Sequence, residues 1–306
     1  MKQLFVRAIF LLFYVLLRII PVCVQPGLAR GIGNLACGIS GKRRVTMRSN
    51  MRIAFRNRYS DEELDAIARR SYQNLVMSVF EFIRFNLYKP QDIERMVDVV
   101  GEKHVRAALA RGKGIVVISA HFGNWELLAA RIHTLGLPMT AVGRNQNDGL
   151  INEFIVRLRA SKGTKNIARG TPMFQEITSL LRRNELVGLV SDQNAGARGV
   201  FADFFGAPAS TFKGPGLFAL MNGSAVLPVM IVRRGYEKHT AYLGPEITID
   251  PTGDAGRDIA AYCQAINKVI EDYVEKYPDH WLWVHKRWKT RPPGETAFPG
   301  PAIKPG

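Results

Sequence analysis

The stretch Ile115-Val116-Val117-Ile118-Ser119-Ala120-His121-Phe122-Gly123-Asn124-Trp125-Glu126 decides how this chain folds. Ile115 to Ile118 is a short, β-branched apolar run that follows a Gly112-Lys113-Gly114 turn. It reads as a strand buried on both faces, as in a parallel sheet. From Asn124 to Leu135 the pattern becomes helical, with Leu127, Leu128, Ile132 and Leu135 on one side and Gly136 as the stop. His121 therefore falls at the carboxyl end of a strand, just before a helix. Open α/β sheets place their ligand and reaction sites at such ends.

His121 and Glu126 would point roughly 140° apart in a continuous helix. A strand–turn–helix bent at Gly123 can bring the two side chains back together. The imidazole would then take a proton while the carboxylate fixes its tautomer. A second reading stays open: a strand-end histidine, with an unrelated glutamate favoured by the helix dipole.

Working outward, Ser60-Asp61-Glu62-Glu63 is a capping box for a long helix to about Tyr88, which Pro90 ends. Met139–Val142, Leu186–Val190 and Ala225–Val232 read as strands. Pro228 inside the last implies an edge or a bulge. Helices come between them, one opened by Thr171-Pro172 as cap and first-turn proline. Tyr242-Leu243 and Ile247–Ile249 suggest a terminal hairpin or edge, and Arg257–Lys276 a last helix. The alternation predicts an α/β fold with a mostly parallel central sheet flanked by helices. Trp281 to Trp288 interleaves tryptophans with basic residues, which suits an interfacial belt or a core with snorkelled cations. Gly31-Ile32-Gly33-Asn34-Leu35-Ala36 matches a dinucleotide fingerprint by letter, but no strand precedes it.

The 306 residues are 47% hydrophobic and 22% charged, enough for the core of one large domain or two small ones and unlike a disordered chain. Lys and Arg number 42 against 26 Asp and Glu, a net charge of +16. That field suits an anionic membrane, an acidic carrier or a nucleic acid, but no nucleic-acid module signature is present. Cys23, Cys37 and Cys263 fit no metal spacing or disulfide framework, so free thiols are expected.

Leu4 to Val24 is the most apolar segment, bracketed internally by Arg7 and Arg18. It has no signal-peptide cleavage site and reads as an N-terminal hydrophobic membrane-anchor helix, spanning or lying in one leaflet. Lys42, Arg43, Arg44, Arg48, Arg52, Arg56 and Arg58 follow it, which puts the body on the cytoplasmic side and favours contact with anionic lipid. The expected division is an anchor over 1–24, a main domain over 25–292 and a Pro/Gly-rich disordered tail over 293–306.

His-Phe-Gly-Asn-Trp-Glu resembles the His-x4-Asp/Glu motif of glycerolipid-type acyltransferases, and more closely that of the late acyltransferases of bacterial lipid A synthesis. The likeness extends along most of the chain. Asp192-Gln193-Asn194-Ala195-Gly196-Ala197-Arg198, followed by Phe204-Phe205, is similar to a loop of that branch, where the wider superfamily has a Glu-Gly-Thr-Arg type motif. The resemblance implies a fatty-acyl thioester donor, acyl carrier protein or coenzyme A, and an anionic lipid acceptor at the bacterial inner membrane. His121 would be the general base and Glu126 its orienting partner. Backbone N–H groups near Gly123, or a cation, would hold the oxyanion. Gly123, Asn124, Arg144, Asp192, Arg198 and Arg169 are the candidate substrate-binding residues, the arginines as partners for acceptor phosphates. No cofactor or metal is expected. No Gly-x-Ser-x-Gly elbow or cysteine nucleophile signature accompanies the motif, so direct transfer is expected. The alternatives are acylation of another glycolipid, phospholipid or aminolipid, such as a mannosylated phosphatidylinositol, and a non-catalytic basic binding protein at the membrane.

Overall fold

The computed structural model describes residues 2–143, 149–168 and 172–295. Four helices come first: α1 (Lys2–Ile19), α2 (Gln25–Ile39), α3 (Gly41–Phe55) and α4 (Asp61–Ile83). The alternating part follows as α5 (Pro90–Met96), β1 (Val97–Val100), α6 (Glu102–Leu109), β2 (Ile115–Ser119), α7 (Trp125–Thr134) and β3 (Met139–Gly143). It continues through α8 (Gly149–Ala160), β4 (Lys165–Ala168), α9 (Met173–Arg182) and β5 (Leu186–Val190). A small antiparallel pair, β6 (Val200–Asp203) and β7 (Pro208–Thr211), leads to α10 (Gly214–Asn222). The hairpin β8 (Ala225–Gly235) and β9 (Lys238–Leu243) precedes α11 (Ala255–Lys276).

The large sheet has the order β1-β9-β8-β2-β5-β3-β4, and its neighbours are parallel except for the β8–β9 hairpin. β2 lies between β8 and β5, which is why its sequence is apolar without alternation. Val116 and Ile118 face one core with Trp281 and Trp283, while Ile115 and Val117 face a second core against α7.

The capping box forms as expected. Ser60 Oγ accepts from Glu63 N at 3.2 Å, and Glu63 Oε2 accepts from Ser60 N at 2.7 Å. The helix it opens stops at Ile83, short of Tyr88, and Pro90 starts α5 instead of ending α4. A proline lacks the N–H that a first helical turn would leave unbonded anyway. Strand β4, Lys-Asn-Ile-Ala, was not legible, because a short edge strand with two polar residues carries no buried run. Thr171 lies outside the described residues, and α9 begins at Met173 with Pro172 as its N-cap.

Pro228 sits in an interior strand, contrary to the edge or bulge expected of it. Its carbonyl accepts from Gly244 N at 2.8 Å, just beyond the end of the β9 ladder. The missing proline N–H thus faces the flank where the ladder has already ended. Gly244 leaves room for the ring, since a Cβ there would stand 2.8 Å from Pro228 Cγ. Likewise β9 is no edge: β1 covers it in parallel.

The aromatic C-terminal stretch is core. Trp281, Trp283 and Trp288 are buried, and Arg287 is fully buried without snorkelling. Its guanidinium donates to Ser210 O at 2.5 Å and Thr211 Oγ1 at 2.7 Å.

Among the described residues no helix is long and apolar enough to cross a membrane, so the spanning form of the expected anchor finds no support. α1 instead docks partly on the body. Leu17 is buried, Phe13 meets Phe80 edge-on at 5.4 Å, and Gln25 Nε2 donates to Leu17 O at 3.2 Å. Part of the basic cluster is also spent internally: Arg44 and Arg48 pair with Asp65, and Arg52 pairs with Asp61.

Candidate active site

The register of the sheet brings the site together. Ser119 pairs with Val190 in the adjacent parallel strands β2 and β5. Two residues further along each strand stand His121 and Asp192, side by side at the roughly 4.8 Å strand spacing. Asp192 Oδ1 lies 2.8 Å from His121 Nδ1, and Asp192 Oδ2 accepts the His121 backbone N–H at 3.0 Å. Trp281 Nε1 donates to Asp192 Oδ2 at 2.7 Å. Burial opposes ionisation of Asp192, but His121, its hydrogen bonds and that of Trp281 outweigh it and hold the carboxyl below its ordinary range. An ionised Asp192 selects the tautomer with the proton on Nδ1, which leaves Nε2 as the nitrogen that can take one.

Glu126 does not hold this place. Its carboxylate is gripped by the Arg159 guanidinium of α8, Nε donating at 2.8 Å and Nη2 at 2.6 Å, while Arg159 Nη1 reaches Asn166 Oδ1 at 3.1 Å. The expectation that Glu126 orients His121 is thereby corrected. Glu126 leaves on the first turn of α7, whereas Asp192 lies in line with His121 on the next strand.

The turn after His121 is fixed from several sides. Gly123 adopts φ +58°, and a Cβ there would stand 2.2 Å from Ile231 O, so both conformation and space require glycine. Gly123 N donates to His280 O at 2.9 Å and Leu282 N donates to His121 O at 3.0 Å. Of the backbone N–H groups near Gly123, that of Gly123 itself is thus already used and does not serve an oxyanion hole. Asn124 is buried and serves structure: its Oδ1 caps α7 through Leu127 N at 3.0 Å, and its Nδ2 donates to Glu81 at 2.6 Å.

Glu81, on α4, is the hub behind that turn. Its fully buried carboxylate also accepts from Arg233 Nη1 at 2.5 Å and Nη2 at 2.8 Å, from Glu237 N at 2.9 Å and from His239 Nε2 at 3.2 Å. Burial would raise its pKa, yet Arg233 and His239 hold it far below the carboxylate range. Burial keeps His239 neutral despite Glu81. Its Nδ1 has no partner among the described residues, as suits the tautomer that donates from Nε2.

His121 opens onto a cavity of about 470 Å3 between the sheet and α7. Trp125, Glu126, Arg159, Gln193, Asn194 and His285 line it with His121, and its inner walls are apolar. Trp125 meets the His121 ring edge-on at 5.1 Å. His285 Nε2 accepts the Asn194 backbone N–H at 3.1 Å, which requires a neutral ring, and burial lowers the His285 pKa accordingly. Arg198 is exposed on a short turn and does not line the cavity. Asp192 is sealed beneath His121 and so belongs to the histidine, not to a substrate. Arg144 and Arg169 lie outside the described residues.

Residues 1–290 match the family model of the bacterial lipid A biosynthesis acyltransferases. The chain belongs to that family. This acyltransferase is 29% identical over 282 residues to the lipid A biosynthesis palmitoleoyltransferase of Escherichia coli K12, covering 91% of this chain and 89% of the relative. It is 27% identical over 283 residues to the lauroyltransferase of the same organism, covering 90% and 88%. It is also 28% identical over 215 residues to the phosphatidylinositol mannoside acyltransferase of Mycobacterium tuberculosis, covering 68% and 66%.

Sequence reasoning about the acyltransferase missed Arg159, Glu81, Arg233, Trp281 and His285. The first three carried no local signal. Trp281 and His285 stood in a stretch already singled out, but its placement against Asp192 depends on the packing of α3 and α4. Asn50 Nδ2 donates to Trp283 O and His285 O, both at 2.7 Å, and Ser71 Oγ donates to Trp281 O at 2.8 Å.

Proposed function

We propose that this acyltransferase moves a fatty acyl chain from a thioester, on acyl carrier protein or coenzyme A, to a hydroxyl of a lipid A precursor. The observation that carries the reading is His121, paired to buried Asp192, at the mouth of a cavity whose inner walls are apolar. His121 Nε2 takes the proton of the acceptor hydroxyl as its oxygen attacks the thioester carbonyl. Asp192 stabilises the imidazolium, and the proton passes to the leaving thiolate. Gln193 lines the same cavity and is the described polar side chain best placed to meet the oxyanion. Transfer is direct. Burial pushes the Cys263 thiol up to about 11 and raises that of Cys37, the opposite of what an acyl-carrying nucleophile needs.

The reaction takes place at the surface of the bacterial inner membrane, on its cytoplasmic side. Leu11, Leu12, Ile19, Leu35 and Ile39 expose more than half of their surfaces on α1 and α2, beside Arg30, Lys42 and Arg43. Apolar residues rimmed by cations suit a helix pair lying in an anionic leaflet. The mycobacterial relative favours one second reading, a mannosylated phosphatidylinositol as acceptor.

Mass spectrometry of lipids from cells with and without the gene tests the acceptor. Loss of one acyl chain from lipid A is the expected result, and a glycolipid change with intact lipid A would replace it by the second reading. Purified His121→Ala should lose about 10²–10⁴ in rate. Wild-type turnover of that variant would remove His121 from the mechanism.

A further inference from the structure

The apolar wall of the cavity is built in layers. In the parallel register, Ile115, Leu186 and Met139 stand level, then Val117, Gly188 and Ala141. Ser119 and Val190 form the next level, with Gly143 one step beyond Ala141. Alternate residues of a strand share a face, so each layer rises about 7 Å above the last. The upper two layers line the cavity on the side that α7 covers. In the lowest layer Ile115 and Leu186 are buried, and Met139 is the member that reaches the cavity. α7 runs back over these layers, adding Leu128 and Ala129 and then Ile132.

The cavity reaches this deep because of small side chains. Gly188 lies inside a strand that is hydrogen-bonded on both sides, yet it is part-exposed to the cavity. A glycine inside a strand weakens it and marks a place where something approaches closely. Gly188 is not held by conformation: its φ is ordinary, and a Cβ would meet Met139 Sδ at 3.4 Å and Met139 Cε at 3.7 Å, normal contacts. The backbone therefore does not require glycine, and a side chain here would fill the space against which the tip of Met139 packs.

We propose that Met139, with Ile132, is the floor that gauges the length of the donor's acyl chain, and that Gly188 keeps the middle of that channel open. The chain enters past His121, which leaves its thioester carbonyl at the mouth, and its methyl end comes to rest on Met139. This rests on the acyl-transfer reading above. A longer chain meets a closed floor and a shorter one leaves the lowest layer empty, so the enzyme selects by fit at the far end. Discrimination of roughly 10–200-fold per mismatched methylene is what an apolar pocket of this kind supplies.

The test gives the full-length enzyme an equal mixture of saturated acyl thioesters of graded length and reads the product chain lengths by mass spectrometry. Met139→Ala should move the preferred length upward. Gly188→Val, a β-branched residue suited to a strand, should move it downward, and Gly188→Ala should move it less in the same direction. Calorimetric binding of the same thioester series to wild type and Gly188→Val provides a second readout. If wild type binds the series with a length optimum but turns none over, the acyl-transfer reading fails while the gauge stands. Unchanged length profiles in Met139→Ala and Gly188→Val, in folded protein, would overturn the gauge whatever the turnover.

Discussion

Trp281 donates its indole N–H to Asp192 at 2.7 Å, on the same carboxylate oxygen that receives the backbone N–H of His121. The other oxygen is left for the imidazole. A C-terminal tryptophan thus fixes the rotation of the carboxylate that fixes the histidine.

Replacing Asp192 by Asn should preserve the shape and lose the charge. The Asn amide can present an N–H to Nδ1 and stabilise the wrong tautomer, so kcat should fall on the order of 10²–10⁴ with KM little changed. Trp281→Phe should act more mildly through the same carboxylate, raising its pKa by removing one donor and lowering kcat less than Asp192→Asn does. Full activity of Asp192→Asn would show that the pair is structural.

Glu126 and Arg159 form a half-buried pair in the cavity wall, with side-chain exposures of 15% and 21%. Glu126→Gln and Arg159→Met should each destabilise the fold by stranding the partner, and the double variant should lose less than the sum. A coupling of about 0.5–3 kcal/mol in a thermal or urea double-mutant cycle is the expected outcome. Strict additivity would mean that the two do not depend on each other.

Glu81→Gln leaves the Arg233 guanidinium buried without its counter-charge, which should cost about 3–5 kcal/mol. Glu81→Gln combined with Arg233→Met should recover part of that. Through Asn124 the single variant should also loosen the start of α7 and lower kcat, by about 10²-fold if His121 shifts by an ångström. The depressed pKa of Glu81 gives the pH sign. Its contribution is complete above the ordinary carboxylate range and is lost only as pH falls through the much lower folded value. Urea titrations at graded acid pH compare the two proteins, and equal acid sensitivity would contradict this assignment.

His285 is also held below its ordinary pKa, by burial. The unfolded chain then binds its proton at higher pH than the folded one, so stability is complete above the ordinary histidine range and declines as pH falls through it. Protonation removes the acceptor for the Asn194 N–H and frees the loop that follows Asp192. Hydrogen exchange at Asn194 should therefore accelerate, after correction for intrinsic rates, as pH is lowered through that range. His285→Phe should show fast exchange at every pH.

The local grammar was legible in the sequence because it is set by neighbours along the chain. The buried run Ile115–Ile118, the glycine bend at Gly123, the capping box at Ser60–Glu63 and the alternation of strands with helices each need only a few adjacent residues. They led to an α/β fold with His121 at a strand end. The partner of His121 was not legible, because Asp192 is 71 residues away and becomes its neighbour only when β5 pairs with β2 in one register. Glu126, close in sequence, was drawn off by Arg159, 33 residues away on α8. Pro228 could be interior only because Gly244 makes room, and Arg287 could be buried only because Ser210 and Thr211 receive it. Sequence fixes what a residue can do within its own turn or strand. Which charge meets which, and which side chain a cavity reaches, depends on the order of strands in the sheet and on the helices packed over it.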